Sequence, residues 1–299
     1  EPEWTEGFAT VLEGLPVACA AACLGATVYV VWALRRRSLG AGDLAWLGGS
    51  LWAVWMFASC VGHELLHRRS ELSRTMGRVL SGVIGYPLLE HEHRAHHVKG
   101  GNVEAAECPR LDESVWAFTA RRSVRVFGTA WEGDVVAASR RGNRLAGGLP
   151  VSIAATLVTA AAFGMAAGVK GLVLYALVAL AVAWTMQVMA YVQHWGLGAD
   201  SLSNAAVADL GWEDLCQLQG WLTLNLSYHQ AHHHASAVPY YRRQPMQGSP
   251  RAPAGYGVLL FVSFVPPLWH ALMRPALERW KRAPDAQRTA GRRLICIAR

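Results

Sequence analysis

Long apolar runs alternate with polar, arginine-rich stretches along the 299 residues of this chain. Four of the apolar runs are long enough to cross the roughly 30 Å hydrocarbon core of a bilayer as helices. These runs cover residues 15–34, 44–62, 149–169 and 171–192. The pattern therefore predicts an all-α integral membrane protein, in which a bundle of spanning helices is joined by polar segments.

Two other apolar runs are too short or too interrupted to span. Residues 79–89 number only eleven, which favours a re-entrant or interfacial segment with both flanks on one side of the membrane. The run 256–273 contains Pro266 and Pro267, which break a spanning helix, so we expect a helix at the membrane surface or one that is partly inserted. Only residues 168–170 separate the third span from the fourth, which predicts a tight hairpin across the bilayer.

The polar segments carry most of the positive charge. Because arginine and lysine concentrate in cytoplasmic loops, the Arg-rich segments 63–148 and 195–254 are expected in the cytoplasm, whereas Arg35 to Arg37 alone favour the opposite orientation. We predict a single membrane-bound domain over residues 1–299 in a bacterial-type inner membrane, with a cytoplasmic cap formed by residues 63–148 and 195–299. Short amphipathic helices are expected in the cap, for example around residues 115–126.

Composition agrees with a membrane location and excludes other classes. Charged residues make up 16% of the chain, below the roughly 25% of soluble globular domains. The net charge is +7, and the arginines that contribute to it flank the apolar runs. This placement favours contact with lipid head groups over binding of nucleic acid. The six cysteines are scattered without a CxxC pair, so we expect neither a disulfide framework nor a thiolate redox module. The chain begins at Glu1 rather than Met, which is expected of a processed or trimmed N-terminus without a signal peptide.

Histidines cluster near the ends of the apolar runs. Side chains three or four residues apart share one face of a helix. This spacing occurs in three clusters, and a single histidine lies before the last of them: His63 and His67; His93, His96 and His97; His194; His229, His232 and His233. Imidazole suits iron, copper, zinc and nickel, and so many rings exceed what one tetrahedral site uses. The spacing predicts a polynuclear metal centre at a membrane face.

The first cluster contains the motif HExxH, in which Glu64 would be the general base of a zinc protease. The surplus of imidazoles argues against such a mononuclear hydrolase and favours two metals, with iron in an oxygen-activating role. A metal transporter is a third alternative. It would need polar residues through the centre of the bilayer, and the predicted spans contain almost none.

The segments HELLHRR, EHEHRAHHVKGG, YVQHWGL and SYHQAHHHASAVPYY, in this order, resemble the histidine boxes of the membrane fatty-acid desaturase and hydroxylase superfamily. The ending FVPPLWHALMRP strengthens the similarity to its alkane and xylene monooxygenase branch. The resemblance implies an alkane 1-monooxygenase-like oxidoreductase with two non-haem irons. Such an enzyme uses O2 to hydroxylate a terminal or benzylic methyl group of an apolar substrate. A fatty-acyl desaturase or decarboxylase of the same superfamily is the alternative.

The resemblance also implies nine histidine ligands, which are His63, His67, His93, His96, His97, His194, His229, His232 and His233. The ninth, in the second box, is open between three residues. Glu92 occupies the position of the leading histidine in alkane hydroxylases, His91 follows Glu90 as in their EH pair, and His93 fits a desaturase-like HxxHH. Helical geometry places His93 on the face of His96 and His97, and we select it.

Electrons must come from outside, because the chain carries no redox module. The resemblance implies a rubredoxin- or ferredoxin-type donor with an NAD(P)H reductase, which exposed Arg94, Arg242 and Arg243 would steer to the cap. The substrate is expected to enter from the bilayer along Trp52, Trp55 and Met56 of the second span. These tryptophans equally fit a packing or interface role.

Overall fold

The computed structural model describes residues 5–142, 148–198 and 211–283. Throughout these ranges the regular structure is helical, and the only β pairing is an isolated bridge between Glu213 and Arg251. The predicted all-α class is confirmed.

Ten α-helices follow one another in the described ranges, with a 3-10 turn at Tyr240–Arg242. They are α1 Glu6–Arg36, α2 Ala41–Leu66, α3 Glu71–Val83, α4 Leu89–Lys99, α5 Val115–Arg141, α6 Leu149–His194, α7 Gln217–Leu222, α8 His229–His234, α9 Tyr256–Ser263 and α10 Pro266–Arg282. Of these described helices, α1, α2 and α6 are long and apolar enough to cross a membrane. They contain all four predicted spans, because α6 consists of two arms.

The two arms of α6 meet at a sharp turn. Gly168 has φ 60° and ψ −141°, which a residue with a side chain rarely adopts, and Ala167 is also non-helical. The arms then run back along each other, since the Tyr175 hydroxyl donates to the Thr156 carbonyl at 3.4 Å. The hairpin predicted from residues 168–170 is therefore present in the fold.

The chain forms two compact units. The first consists of Glu1–Arg94 and Val126–Thr185, and the second of Ala95–Arg125 and Met186–Arg299. In the first unit α1, α2 and α3 pack on one another. Trp55 of α2 is fully buried against the rings of Phe163 and Tyr175, and its indole nitrogen donates to Thr27 Oγ1 of α1 at 3.0 Å. A hydrogen-bonded aromatic core thus fixes the spanning helices of this unit.

Residues 79–89, predicted as one re-entrant segment, are divided between two helices. α3 ends at Val83, the chain turns at Gly85 with φ 73°, and α4 begins at Leu89. Gly82 lies so close to the start of α6 that a Cβ atom there would sit 2.2 Å from the Ser152 carbonyl oxygen. The turn and this close approach position α4, which carries the second histidine box. The re-entrant placement in a bilayer stays a prediction.

In the second unit α9 packs on α10. α10 begins with Pro266 and Pro267 in its first turn, where proline is tolerated, so the predicted interruption of this apolar run is confirmed. Trp269 of α10 is fully buried and its ring lies 5.1 Å from Tyr191 and 5.9 Å from Trp195. This aromatic contact holds α10 against the end of α6, next to His194.

Candidate metal centre

The first unit brings three predicted ligands together at the end of α2. His63 lies in the last turn of α2, His67 directly follows its last residue, and His93 comes from α4. The Nε2 atom of His93 lies 2.8 Å from that of His63 and 2.7 Å from that of His67. We refer to these three rings as the first imidazole group.

The geometry of this group fits a cation. An imidazole nitrogen offers either one hydrogen or one lone pair, so protons alone do not satisfy three Nε2 atoms that face one point. A metal ion that accepts one lone pair from each ring does. Glu64, between two of these ligands in sequence, is buried and accepts a hydrogen bond from Arg68 at 2.6 Å. This ion pair engages the carboxylate that a zinc protease would use as its base.

The second unit brings together four buried rings from three helices. They are His96 of α4, His194 of α6, and His229 and His233 of α8, and their candidate ligand atoms all lie within 4.8 Å of one another. The Nε2 atoms of His96 and His233 are 3.1 Å apart, and those of His229 and His194 are 2.8 Å apart. We refer to these four rings as the second imidazole group. Its converging nitrogens fit a metal ion for the same reason as the first.

Two more predicted ligands lie in the second unit. The Nε2 atom of His97 is 3.0 Å from that of His232. His232 is fully buried and His97 is half-buried. The structure thus presents every predicted imidazole with a ring nitrogen facing another.

A buried carboxylate shapes the third histidine box. Glu213 is fully buried, accepts the backbone N–H of Ala231 at 3.1 Å and of Met246 at 3.2 Å, and pairs with Arg251. The contact with Ala231 fixes the middle of α8, the helix that presents the box. Sequence reasoning missed Glu213, because its partners lie far along the chain and no local spacing links them.

A second missed carboxylate, Glu107, contacts a predicted ligand directly. Its Oε2 atom lies 2.9 Å from His96 Nδ1 and accepts a hydrogen bond from Arg122 at 2.6 Å. Burial lowers the pKa of His96 well below its usual value, and the neighbouring His194, His233 and Arg122 add to the shift. The neutral ring, which is the form that binds a metal, is therefore favoured.

The three candidate residues of the second box have different neighbours in the structure. His93 joins the first imidazole group, whereas His91 lies with Nε2 3.3 Å from Asp134 Oδ1, and buried Glu92 accepts a hydrogen bond from the Tyr86 hydroxyl. Two further histidines lie outside both groups: His234 is exposed, and the ring of His270 contacts that of Trp195. The geometry agrees with the selection of His93.

The residues predicted for substrate contact lie in the middle of α2. Half-buried Trp52 donates its indole N–H to Thr185 Oγ1 at 3.3 Å, and Met56 is also half-buried. Trp55 is fully buried in the aromatic core. These contacts establish a packing role, and substrate contact by Trp52, Trp55 and Met56 stays a prediction.

One expectation about the exposed arginines is wrong. Arg243 is buried, with 2% of its surface exposed, and donates to the carbonyls of Leu224 and Val238. Its guanidinium satisfies backbone acceptors in the turns around α8, a structural demand that the sequence does not reveal. Arg94 and Arg242 are exposed as expected.

Helices long enough to cross a membrane, together with two imidazole groups that fit cations, define the class of a membrane-bound metalloprotein. Residues 42–262 match the model of the Fatty acid desaturase family. This match covers more than half of the chain, and the chain belongs to that family.

Comparison with individual proteins shows which members of this family the chain is similar to. The chain is 28% identical to alkane 1-monooxygenase 1 of Pseudomonas aeruginosa over 262 residues, which are 83% of this chain and 69% of the relative. It is 26% identical to alkane 1-monooxygenase 2 of Alcanivorax borkumensis, over 80% of this chain and 65% of the relative. It is 25% identical to the hydroxylase component of the xylene/toluene monooxygenase of Pseudomonas putida, over 86% of this chain and 68% of the relative.

The chain therefore spans about two thirds of the length of these relatives. They confirm two predictions from the sequence: the resemblance to the alkane and xylene monooxygenase branch, and an enzyme of the oxidoreductase class.

Proposed function

We propose that this protein is a membrane-bound non-haem di-iron monooxygenase. It hydroxylates a terminal or benzylic methyl group of an apolar substrate, with O2 as oxidant and electrons from outside the chain. The observation that carries the proposal is the presence of two imidazole groups in a chain similar to alkane and xylene monooxygenases. Nitrogen ligands of this kind suit iron in oxygen chemistry.

In this proposal each imidazole group binds one iron. His63, His67 and His93 hold the first, and His96, His194, His229 and His233 hold the second, with His97 and His232 completing the set of nine. When bound, the irons supply the activation of O2 and the attack on an unreactive C–H bond. The protein supplies neutral rings in fixed orientations and an apolar surrounding.

Substrate and electrons reach the centre from different sides. An apolar substrate enters from the bilayer, and Trp52, Trp55 and Met56 of α2 are our candidates for the residues that guide it. A separate rubredoxin- or ferredoxin-type protein, itself reduced by an NAD(P)H reductase, supplies the electrons. The side chains of Arg94 and Arg242 are exposed and would attract an acidic donor, although Arg94 also pairs with Glu90.

A fatty-acyl desaturase or decarboxylase is the second candidate, since the family as a whole is named for desaturation. Both reactions begin with removal of hydrogen from a C–H bond and differ in the product. A zinc protease is disfavoured, because Glu64 is engaged by Arg68 and two imidazole groups exceed the needs of one zinc ion.

The test combines metal analysis with product analysis. The purified chain in nanodiscs, with a donor and reductase, is supplied with alkanes or toluene derivatives under 18O2. We expect two irons per chain and an alcohol that carries one 18O atom. An alkene would support the desaturase, and one zinc without iron would contradict the di-iron proposal.

Two neighbouring histidines of α8 provide a matched control for this assay. His233 is buried in the second imidazole group, and the next residue, His234, is exposed. His233→Ala is expected to abolish hydroxylation and His234→Ala to retain it. Equal activity in both variants would contradict the ligand assignment.

A further inference from the structure

We propose that Glu107 is a positioning residue for the second imidazole group. It fixes the tautomer and orientation of His96 and is itself held by Arg122. This inference rests on the proposed function only in that the group binds a metal. It adds two residues that lie outside the histidine boxes.

The first step of the argument concerns the His96 ring. Its two nitrogens face different partners: Nδ1 lies 2.9 Å from Glu107 Oε2, and Nε2 lies 3.1 Å from His233 Nε2. Glu107 is 4% exposed and His96 is 6% exposed, so water does not compete for the contact. A carboxylate only accepts hydrogen bonds, which places the ring proton on Nδ1 and leaves the Nε2 lone pair directed into the group.

The second step concerns the charge on Glu107. A buried carboxylate is costly unless it is paired. Arg122 of α5, with 2% exposure, donates from Nη1 to Glu107 Oε2 at 2.6 Å and to the Ala106 carbonyl at 2.7 Å. Arg122 therefore binds both the side chain of Glu107 and the backbone just before it. These two contacts hold the carboxylate in place beside His96.

The third step concerns the segment that carries Glu107. Ala106 has φ 61°, an unusual value for a residue with a side chain, and the Glu107 N–H closes the turn by donating to the Asn102 carbonyl at 3.0 Å. The next residue, Cys108, donates its thiol to the backbone carbonyl of His194 at 3.0 Å. Adjacent residues of one turn thus contact two members of the same group, His96 through its ring and His194 through its backbone.

The test measures metal retention in the full-length chain. Glu107→Gln keeps the size of the side chain but removes its charge, and it allows an amide N–H to face Nδ1. We expect about a 10- to 100-fold loss of iron affinity at the second imidazole group, as found when partners of ligating histidines are removed. The first group should retain its iron, so stoichiometry at limiting free iron falls from two toward one.

Glu104→Gln is the matched control, because Glu104 lies in the same segment with an exposed side chain paired only with Arg110 in the described contacts. It should retain both irons. His96→Ala should reproduce the iron loss of Glu107→Gln. Mössbauer spectra of 57Fe-loaded protein should show that the same one of two iron signals is changed in both variants. Iron affinity in Glu107→Gln equal to that of Glu104→Gln at both sites would overturn the proposal.

Glu107→Asp covers the case in which Glu107→Gln fails to fold. It preserves the negative charge for Arg122 but withdraws the carboxylate from His96. The same selective loss of iron is expected, and unchanged affinity at both sites would overturn the proposal. The assay reads metal retention and not turnover, so a chain that binds two irons yet forms no hydroxylated product refutes only the proposed activity.

Discussion

The His93 ring faces two other imidazoles, and the ring two residues earlier faces a carboxylate. His91 is buried with Nε2 3.3 Å from Asp134 Oδ1. Burial lowers the pKa of His91, although the charges of Glu90 and Asp134 oppose the shift. His91 and His93, on one turn of α4, therefore have different surroundings. Of these two rings, His93 is the one directed at other predicted ligands.

We predict that His93→Gln loses the iron of the first imidazole group, because it removes the nitrogen that faces both His63 and His67. His91→Gln should keep both irons and change only the thermal stability, by about 1 to 2 kcal/mol, because it alters a buried polar contact. Iron content by plasma mass spectrometry, together with a thermal melt of each variant, checks this. Loss of iron in His91→Gln alone would show that His91, not His93, is the ligand.

At the residue scale the sequence identifies candidate ligands but not the residues that contact and orient them. The i, i+3 and i+4 spacings of the boxes identify rings that the structure brings together, because helical geometry is local. Glu107 reaches His96 only through a turn with Ala106 at positive φ. That conformation follows from tertiary contacts, such as the bond from Arg122 to the Ala106 carbonyl, and has no signature in the spacing of residues.

α3 and α4 are tied together by a buried ion pair. Arg78 of α3 donates to both carboxylate oxygens of Glu90 of α4, at 2.6 and 3.0 Å. Burial by itself would raise the pKa of Glu90, but the hydrogen bond and the charge of Arg78 outweigh it, and the net pKa is lowered. The backbone at Gly148 approaches so closely that a Cβ atom there would lie 2.6 Å from Glu90 Oε2. The pair thus fixes the helix that carries the second histidine box.

Glu90→Gln is expected to lower the free energy of unfolding by about 3 kcal/mol, because it removes the carboxylate that pairs closely with buried Arg78 and leaves only Glu71, at 3.9 Å. Since the folded-state pKa of Glu90 lies below the unfolded value, its contribution is present at neutral pH. It is lost as pH falls through the folded-state pKa, below the ordinary value of 4.5. Denaturant unfolding of the metal-free chain in detergent, from neutral pH into the acid range, measures both effects.

Glu71→Gln is the control for this prediction. Glu71 begins α3, pairs with Arg74, approaches Arg78 only to 3.9 Å and has 64% of its side chain exposed, so its loss should cost less than about 1 kcal/mol. If both variants unfold alike at neutral pH, the buried pair does not stabilise α4 as argued.

Helix existence could be predicted from the apolar runs, and helix ends could not. The hairpin turn was predicted at residues 168–170, and the non-helical residues are Ala167 and Gly168. Residues 115–126 were expected to hold a short amphipathic helix, whereas α5 continues to Arg141. Its extension depends on tertiary contacts, such as Asp134 accepting the N–H of Leu149 at 3.1 Å, which a local pattern does not contain.

For the whole molecule, the distribution of positive charge is the main guide to which loops lie on which side of the membrane. The turn between the arms of α6 holds one lysine, Lys170, whereas the segments that carry the histidine boxes are rich in arginine. The positive-inside rule then favours a cytoplasmic location for the boxes, the side on which the proposed electron donor would act. Arg35 to Arg37 directly follow the first predicted span, and their charge favours the reverse orientation. The larger number of charges supports the cytoplasmic assignment, which stays a proposal.

Single cysteines in a chain whose six native cysteines are replaced decide between the two orientations. Val169 is 75% exposed beside the α6 turn, and Val98 is 79% exposed beside the second box. In intact cells freed of the outer membrane, an impermeant maleimide should label Val169→Cys and should label Val98→Cys only after permeabilisation. The reverse pattern would place the boxes outside and remove the cytoplasmic donor from the mechanism. Labelling of both sites from outside would contradict the predicted crossing by the first arm of α6, because that arm is the one predicted span between the two positions.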